Sequence, residues 1–210
     1  MSHMNGTSTG LGLHRLPVSS HWVGVIGSRQ ASAAETAMAH QCGATLARQG
    51  RVVVSGLALG IDGAAHAGAL SVPAGRTIAI VSTAPTEPLY PPQHQDLAAR
   101  IRVQGAIWHP FTTPATTSAQ RLHRLLERDL LLAHQVAVIV VVADREPIGG
   151  GSRWAVLAGE RRGIPVFRLD SQGHFHPNPR ALDCSINWDL ECPEIPTPFG
   201  GYWRRRSDGL

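Results

Sequence analysis

Lysine is absent from this 210-residue chain, whose 19 basic residues are all arginine. Schiff-base chemistry and a Walker-type phosphate lysine are thereby excluded. Any anion met by a cationic side chain is met by a guanidinium, which forks onto phosphate oxygens and stacks on bases. Aromatic residues are scarce at 5%, so the core has to be built from Ala, Val, Leu and Ile. Long apolar runs are lacking too. The longest, Leu130 to Ala143, is interrupted by His134 and Gln135 and falls short of the ~20 residues of a membrane span. Three cysteines, Cys42, Cys184 and Cys192, are too few and too scattered for a disulfide framework or a paired-ligand zinc site. No secretory signal is legible, so the reducing cytoplasm is the expected compartment.

What is present suits one ordinary domain: 43% hydrophobic residues against 16% charged can fill a sizeable core. A net charge of +4 and an isoelectric point near 9.6 permit a nucleic-acid partner without requiring one. Residues 1–20 read as a mobile leader, in which Ser2-His3-Met4 has the look of an expression scar. From 21 to 170 short apolar strands alternate with helices. Strands are expected at 21–26, 51–54, 77–81, 106–108, 136–142 and 165–169, and helices at 32–49, 62–70, 95–102, 118–132 and 153–162. In the first helix Ala37, Cys42 and Leu46 mark the apolar face. In the fourth, Leu122, Leu125, Leu126 and Leu130 point inward while Arg121, Arg124 and Arg128 share another face. The unbroken β-branched run of 136–142 has the signature of a strand buried on both sides. The pattern predicts an α/β fold, doubly wound around a mostly parallel sheet, with an irregular Pro-rich tail over 171–210.

In such sheets ligands collect at the carboxyl ends of the strands. Three strands here run into small-residue turns: Gly27-Ser28-Arg29, Ser55-Gly56-Leu57-Ala58-Leu59-Gly60, and Gly149-Gly150-Gly151-Ser152. Each turn can offer bare backbone N–H groups at a helix start, the apparatus for holding a phosphate. Arg29 follows directly from a buried strand and is the expected principal anion contact; its alternative is an ion pair with Asp62 or Glu160. Asp62 serves either as a helix cap or as a site residue. His66 reads equally as a packed polar residue or a functional one, and the arginines of the fourth helix as a solvated face or a phosphate track.

The run Val23-Gly24-Val25-Ile26-Gly27-Ser28-Arg29, followed by Val53-Val54-Ser55-Gly56-Leu57-Ala58-Leu59-Gly60-Ile61-Asp62-Gly63-Ala64-Ala65-His66 and onward to Ala69-Leu70, resembles the DprA/Smf DNA-processing family. Gly75 to Ala79, Tyr90-Pro91-Pro92, Gly151-Ser152 to Gly163 and Val166-Phe167 continue the likeness, which spans about residues 20–170. The resemblance implies a Rossmann-like core and a non-enzymatic protein that binds and protects single-stranded DNA in natural transformation. It further implies help in loading a RecA-type recombinase, a homodimer, and no metal or cofactor. By carry-over, Arg29 grips a phosphate, the Ser55-Gly56 and Gly151-Ser152 turns line the same pocket, and Arg128 matches the last arginine of the family's F-P-x-R-N-R segment.

The rest of that segment differs here, since His123, Arg124, Leu125, Leu126 and Glu127 stand in it. Leu59 replaces a cationic residue, and Ala155 stands where the family has threonine. Fewer cations on the ligand side leave a second reading open, a stand-alone nucleotide-binding or nucleotide-sensing pocket. Ala155 also occupies the glutamate position of the related nucleotide hydrolases, whose acid/base chemistry is therefore not expected.

Overall fold

The computed structural model describes residues 21–181, 195–196 and 202–203. Six parallel strands form the frame: β1 (Trp22–Gly27), β2 (Val52–Ser55), β3 (Arg76–Ile80), β4 (Ala106–Trp108), β5 (Val138–Val142) and β6 (Val166–Leu169). The order in the sheet is β4-β3-β2-β1-β5-β6, closed by β7 (Phe175–Pro177) running antiparallel to β6. Five helices connect them: α1 (Ala33–Arg48), α2 (Ile61–Leu70), α3 (Gln95–Gln104), α4 (Ser118–Gln135) and α5 (Ser152–Arg162). Residues 195–196 (β8) and 202–203 (β9) pair as a separate two-stranded ribbon. The doubly wound α/β architecture expected from the alternation is the one observed. No helix among the described residues is long and apolar enough to cross a membrane.

Alternation along the strands sorts the two layers. Val23, Val25, Val53, Val140 and Val142 face α1 and α2, and Ala79 faces α3. Trp22, Ile26, Val52, Val54, Ile139 and Val141 face the layer of α4 and α5. β1 and β5 are central and buried on both sides, which is why they read as continuous Val/Ile runs. Ser32 and Glu35 start α1 with a reciprocal capping box, Ser32 Oγ accepting from Glu35 N at 3.1 Å and Glu35 Oε2 from Ser32 N at 2.8 Å.

Three expectations need correction. Ala37 is exposed, and the inward face of α1 is Ala39, Cys42, Gly43, Ala44 and Ala47. Leu122 is 61% exposed, while Glu127 and Arg128 of the same helix are buried. The amino-terminal half of α4 overhangs a cleft instead of the core, so its apolar stripe has no layer to sink into. Finally, the chain past residue 170 adds β7 to the sheet, with Ile148 bridging to Ala181. The leader, most of 182–210 and two of its cysteines lie outside the described residues.

The α1–α2 contact depends on small residues. A Cβ on Gly43 would run into the Ala65 carbonyl oxygen, and one on Gly68 into that of His40. The two backbones touch, with no flexible side chain to give way. Gly43→Ala is therefore expected to cost about 2–3 kcal/mol, the range for overpacking a rigid site, measured as a lowered midpoint in urea unfolding.

Candidate nucleic-acid interface

The sheet order reverses direction between β1 and β5, and the crevice beyond their carboxyl ends is the place where open α/β sheets bind ligands. A cleft of about 810 Å³ lies there, within the range of small-ligand sites. Its walls are residues 26–30 after β1, 141–143 at the end of β5, 145 and 147–154 of the following turn, and Leu122, Leu125, Leu126, Arg128 and Asp129 of α4. Ala58 and Asp62 complete the floor.

Two of the three expected turns meet in this cleft. Gly27 is required by close approach, since a Cβ would stand 2.7 Å from Val142 O and 2.5 Å from Ile61 Cγ1. Ser152 Oγ donates to Gly27 O at 3.0 Å, tying the start of α5 to the end of β1. Ser28 O accepts from Ile61 N at 3.3 Å, which fixes the start of α2 against the same loop. Arg29 is exposed, and its guanidinium makes no ion pair or hydrogen bond among the described residues. Neither Asp62 nor Glu160 holds it. Gly150, Gly151 and Ser152 line the opposite rim, where α5 begins without a side-chain cap.

The third turn does something else. Gly56 N and Ala58 N donate to Asp62 Oδ2 at 3.1 and 3.3 Å, so the amide groups expected to cradle a phosphate are already taken. Ser55 is buried, its Oγ donating to Val25 O at 2.6 Å. Leu57 is fully buried at φ 62°, and Gly60 turns the chain at φ 75° under Ser28 O. Of this motif only Ala58 and Asp62 reach the cleft wall. The motif wraps a carboxylate; it does not open toward a ligand.

Arg128 explains why. Its guanidinium lies where a Cβ on Gly56 would be, with Nη1 3.5 Å from Asp62 Oδ2 and Nε 3.1 Å from Asp129 Oδ1. One cation thus bridges two carboxylates, and its charge is committed inward. Burial raises the Asp62 carboxyl, opposed by Arg128 and the two backbone hydrogen bonds. Asp129 is pushed up to about 6, first by burial and then by the neighbouring Asp62, against the pull of Arg128 and Arg29. Arg121 is exposed, whereas Arg124 pairs with Glu87 at 3.4 Å and sits 4.8 Å over the Phe111 ring. The three arginines of α4 therefore part ways and form no single face.

His66 lies below the site, fully buried. Thr77 Oγ1 donates to Val53 O at 2.8 Å, so it accepts from His66 Nδ1–H at 2.6 Å. Burial, with His94 and Arg128 adding to it, lowers the imidazole to about 3, and the ring stays neutral. It is a packed polar residue. Sequence reasoning passed over Asp129, Arg145 and Arg153, which line the cleft. Arg145 follows the central strand β5 as Arg29 follows β1, and that parallel was available to find it. Arg153 stacks on Trp154, 4.9 Å from the ring centre.

The model of the family described as DNA recombination-mediator protein A matches residues 14–175. The chain belongs to that family. Protein Smf of Synechocystis is 38% identical over 138 residues, covering 66% of this chain and 33% of its own length. DprA of Mycobacterium tuberculosis is 36% identical over 137 residues, 64% of this chain and 34% of the relative. The chain thus spans about a third of the length of these DprA/Smf relatives. Among solved structures, DprA of Helicobacter pylori, described for its single-stranded DNA binding mode, has a TM-score of 0.61 at 22% identity. That match covers 75% of this chain and 68% of the other. DprA of Streptococcus pneumoniae has a TM-score of 0.58 at 27% identity, over 70% of this chain and 49% of that one. The Rossmann-like fold is common to all of them.

The Asp129 environment has a measurable consequence. Its folded value of about 6 exceeds the ordinary 3.8, so the group favours folding below pH 4 and loses that contribution as pH rises through 6. Asp129→Asn is expected to be more stable than the parent by about 2 kcal/mol at pH 8, at about 1.4 kcal/mol per pH unit with a discount for partial solvent access. The gap should close toward pH 4 in parallel urea titrations.

Proposed function

We propose that this domain binds single-stranded DNA through the cleft between β1 and β5. The observation that carries the reading is Arg29: a cation fixed at the end of a central strand, facing the switch-point cleft, with no protein partner among the described residues. A phosphate resting on Arg29 approaches Gly27 and Ser28 from one rim and Gly150, Gly151 and Ser152 from the other. There the unpaired N–H groups at the start of α5 favour an anion. Arg145 and Arg153 extend positive charge along the mouth, which a polymer can use and a mononucleotide has less need of. Arg128, Asp62, Ser55, Gly56, Leu57, Ala58 and Gly60 act beneath the surface and set the shape of the floor.

Family membership and the Helicobacter pylori protein's single-stranded DNA binding support the same reading. By the same likeness, the protein guards incoming DNA during natural transformation and hands it to a RecA-type recombinase in the cytoplasm, as a binder without catalytic activity, metal or cofactor. Homodimerisation fits the apolar wall at β6–β7. There Phe175 is 57% exposed and meets Phe167 edge-on, with the ring centres 6.2 Å apart. Light scattering at tens of micromolar should then give about twice the 22.4 kDa chain mass, and a value near the chain mass would count against the dimer.

Arg29→Ala should weaken oligo-dT binding by about 1.5–3 kcal/mol, the scale of a charged hydrogen bond, and leave the melting temperature unchanged. Arg29→Lys should recover part of the loss, because an ammonium lacks the fork. Fluorescence anisotropy reads both. Unaltered affinity in Arg29→Ala would remove the cleft from the DNA path. Native mass spectrometry of the purified protein separates the nucleotide-pocket alternative, which requires a bound mononucleotide and indifference to oligo-dT.

A further inference from the structure

A cleft that receives an anionic polymer has no evident use for a carboxylate in its wall, yet Asp129 is there. Its Oδ1 is held by Arg128 Nε at 3.1 Å. Its Oδ2 takes part in no hydrogen bond among the described residues and lies 3.1 Å from where a Cβ on Gly151 would stand. The cleft is thus divided by charge. The exposed Arg29 and Arg145, with Arg153, stand at the mouth, while Asp62, Arg128 and Asp129 form an inner end carrying two carboxylates against one guanidinium. A phosphate pressed to the inner end would meet surplus negative charge. The inner end is otherwise apolar, walled by Leu125 and Leu126 of α4 and by Trp154.

An apolar wall beside a hydrogen-bond acceptor is the chemistry of a nucleobase site: one face of the ring packs, and N–H groups on its edge donate. We propose that the inner half of the cleft is a nucleobase subsite in which the Asp129 carboxylate accepts from the base edge and so favours guanine. This rests on the single-stranded DNA reading and deepens it. Guanine offers N1–H and the 2-amino group side by side, two donors with no carbonyl between them. Thymine offers N3–H flanked by two carbonyl oxygens, each of which would face the carboxylate. Adenine and cytosine present an amino group next to a bare ring nitrogen. Backbone phosphates then stay at the outer arginines and the base turns inward.

The ionised carboxylate is the acceptor, so the preference depends on pH. The charged groups facing Asp129 are Arg128 on its own helix, Asp62 from α2 and Arg29 from the β1 loop, with Arg145 and Arg153 lining the cleft from the β5–α5 turn. Burial and Asp62 together hold Asp129 at about 6, so discrimination is complete near pH 8 and fades below pH 6.

The test compares labelled oligo-dT with the same oligonucleotide carrying one central guanine or one inosine, by anisotropy at pH 8 and pH 5. The guanine oligonucleotide should bind the parent protein about tenfold more tightly at pH 8, the scale of a two-donor base contact. Inosine, which keeps N1–H and lacks the 2-amino group, should fall between. Both preferences should vanish at pH 5 and in Asp129→Asn. Equal binding of all three oligonucleotides, or a guanine preference that survives in Asp129→Asn, overturns the subsite. So does a uniform gain in affinity at pH 5 with no base preference, which would make Asp129 a repelling charge and nothing more. The inosine comparison uses the parent protein and stands even if the variant fails to fold. If no oligonucleotide binds, calorimetry with dGMP and dTMP decides. Asp129-dependent preference for dGMP upholds the base site and removes the DNA reading, and its absence removes both.

Discussion

Arg128 holds the floor of this protein together. Its guanidinium occupies the space that Gly56 leaves by having no side chain, and from there it reaches Asp62 on α2 and Asp129 on its own helix. Three segments distant in sequence are joined by one group: the turn after β2, the start of α2, and the middle of α4. The carboxylate it faces on α2 is also the acceptor for Gly56 N and Ala58 N. Removing the cation would leave a buried charge and a turn folded around it, which is far costlier than losing a surface pair. A Cβ at position 56 would evict the same guanidinium. Gly56, Asp62 and Arg128 are therefore one unit, and the long S-G-L-A-x-G-I-D pattern records its geometry.

Much of this was legible beforehand. The β-branched run before Ala143 could only be a strand with layers on both sides, and it became the central β5. Gly27-Ser28-Arg29 was correctly placed at the ligand end of a strand, because a short apolar run into a small-residue turn has few other uses in an α/β chain. What failed was the inference from turn to ligand at Ser55–Gly60. Bare N–H groups in a glycine turn are available only if no side chain returns to claim them, and Asp62 does so from four and six residues away. Sequence spacing shows that a carboxylate is near; it does not show which way the chain folds around it.

Helix α4 was misread for a related reason. Leucines at 122, 125, 126 and 130 share a helical stripe, and a stripe ordinarily sinks into the core. Here the carboxyl-terminal half, through Leu131 and Leu132, packs on the sheet, while the amino-terminal half leans over open space. The helix rotates its charged residues Glu127 and Arg128 inward, against every prior for such side chains. Only the complementary gap at Gly56 makes that tolerable, and nothing in the local sequence of α4 announces a gap seventy-odd residues earlier. Strand β7 escaped notice because three residues ending in Pro177 carry no alternation to detect.

The link between Ser152 Oγ and Gly27 O bears on how a ligand would be received. Together with Ile61 N bonded to Ser28 O, it joins the ends of two central strands and the starts of two helices into a single frame. Such a cleft is preorganised: its width is set by protein–protein hydrogen bonds before anything enters it. Ordering then falls almost wholly on the incoming strand, whose freedom is what association must overcome. Encounter is left to long-range steering by arginines that stay charged at every pH a cell experiences.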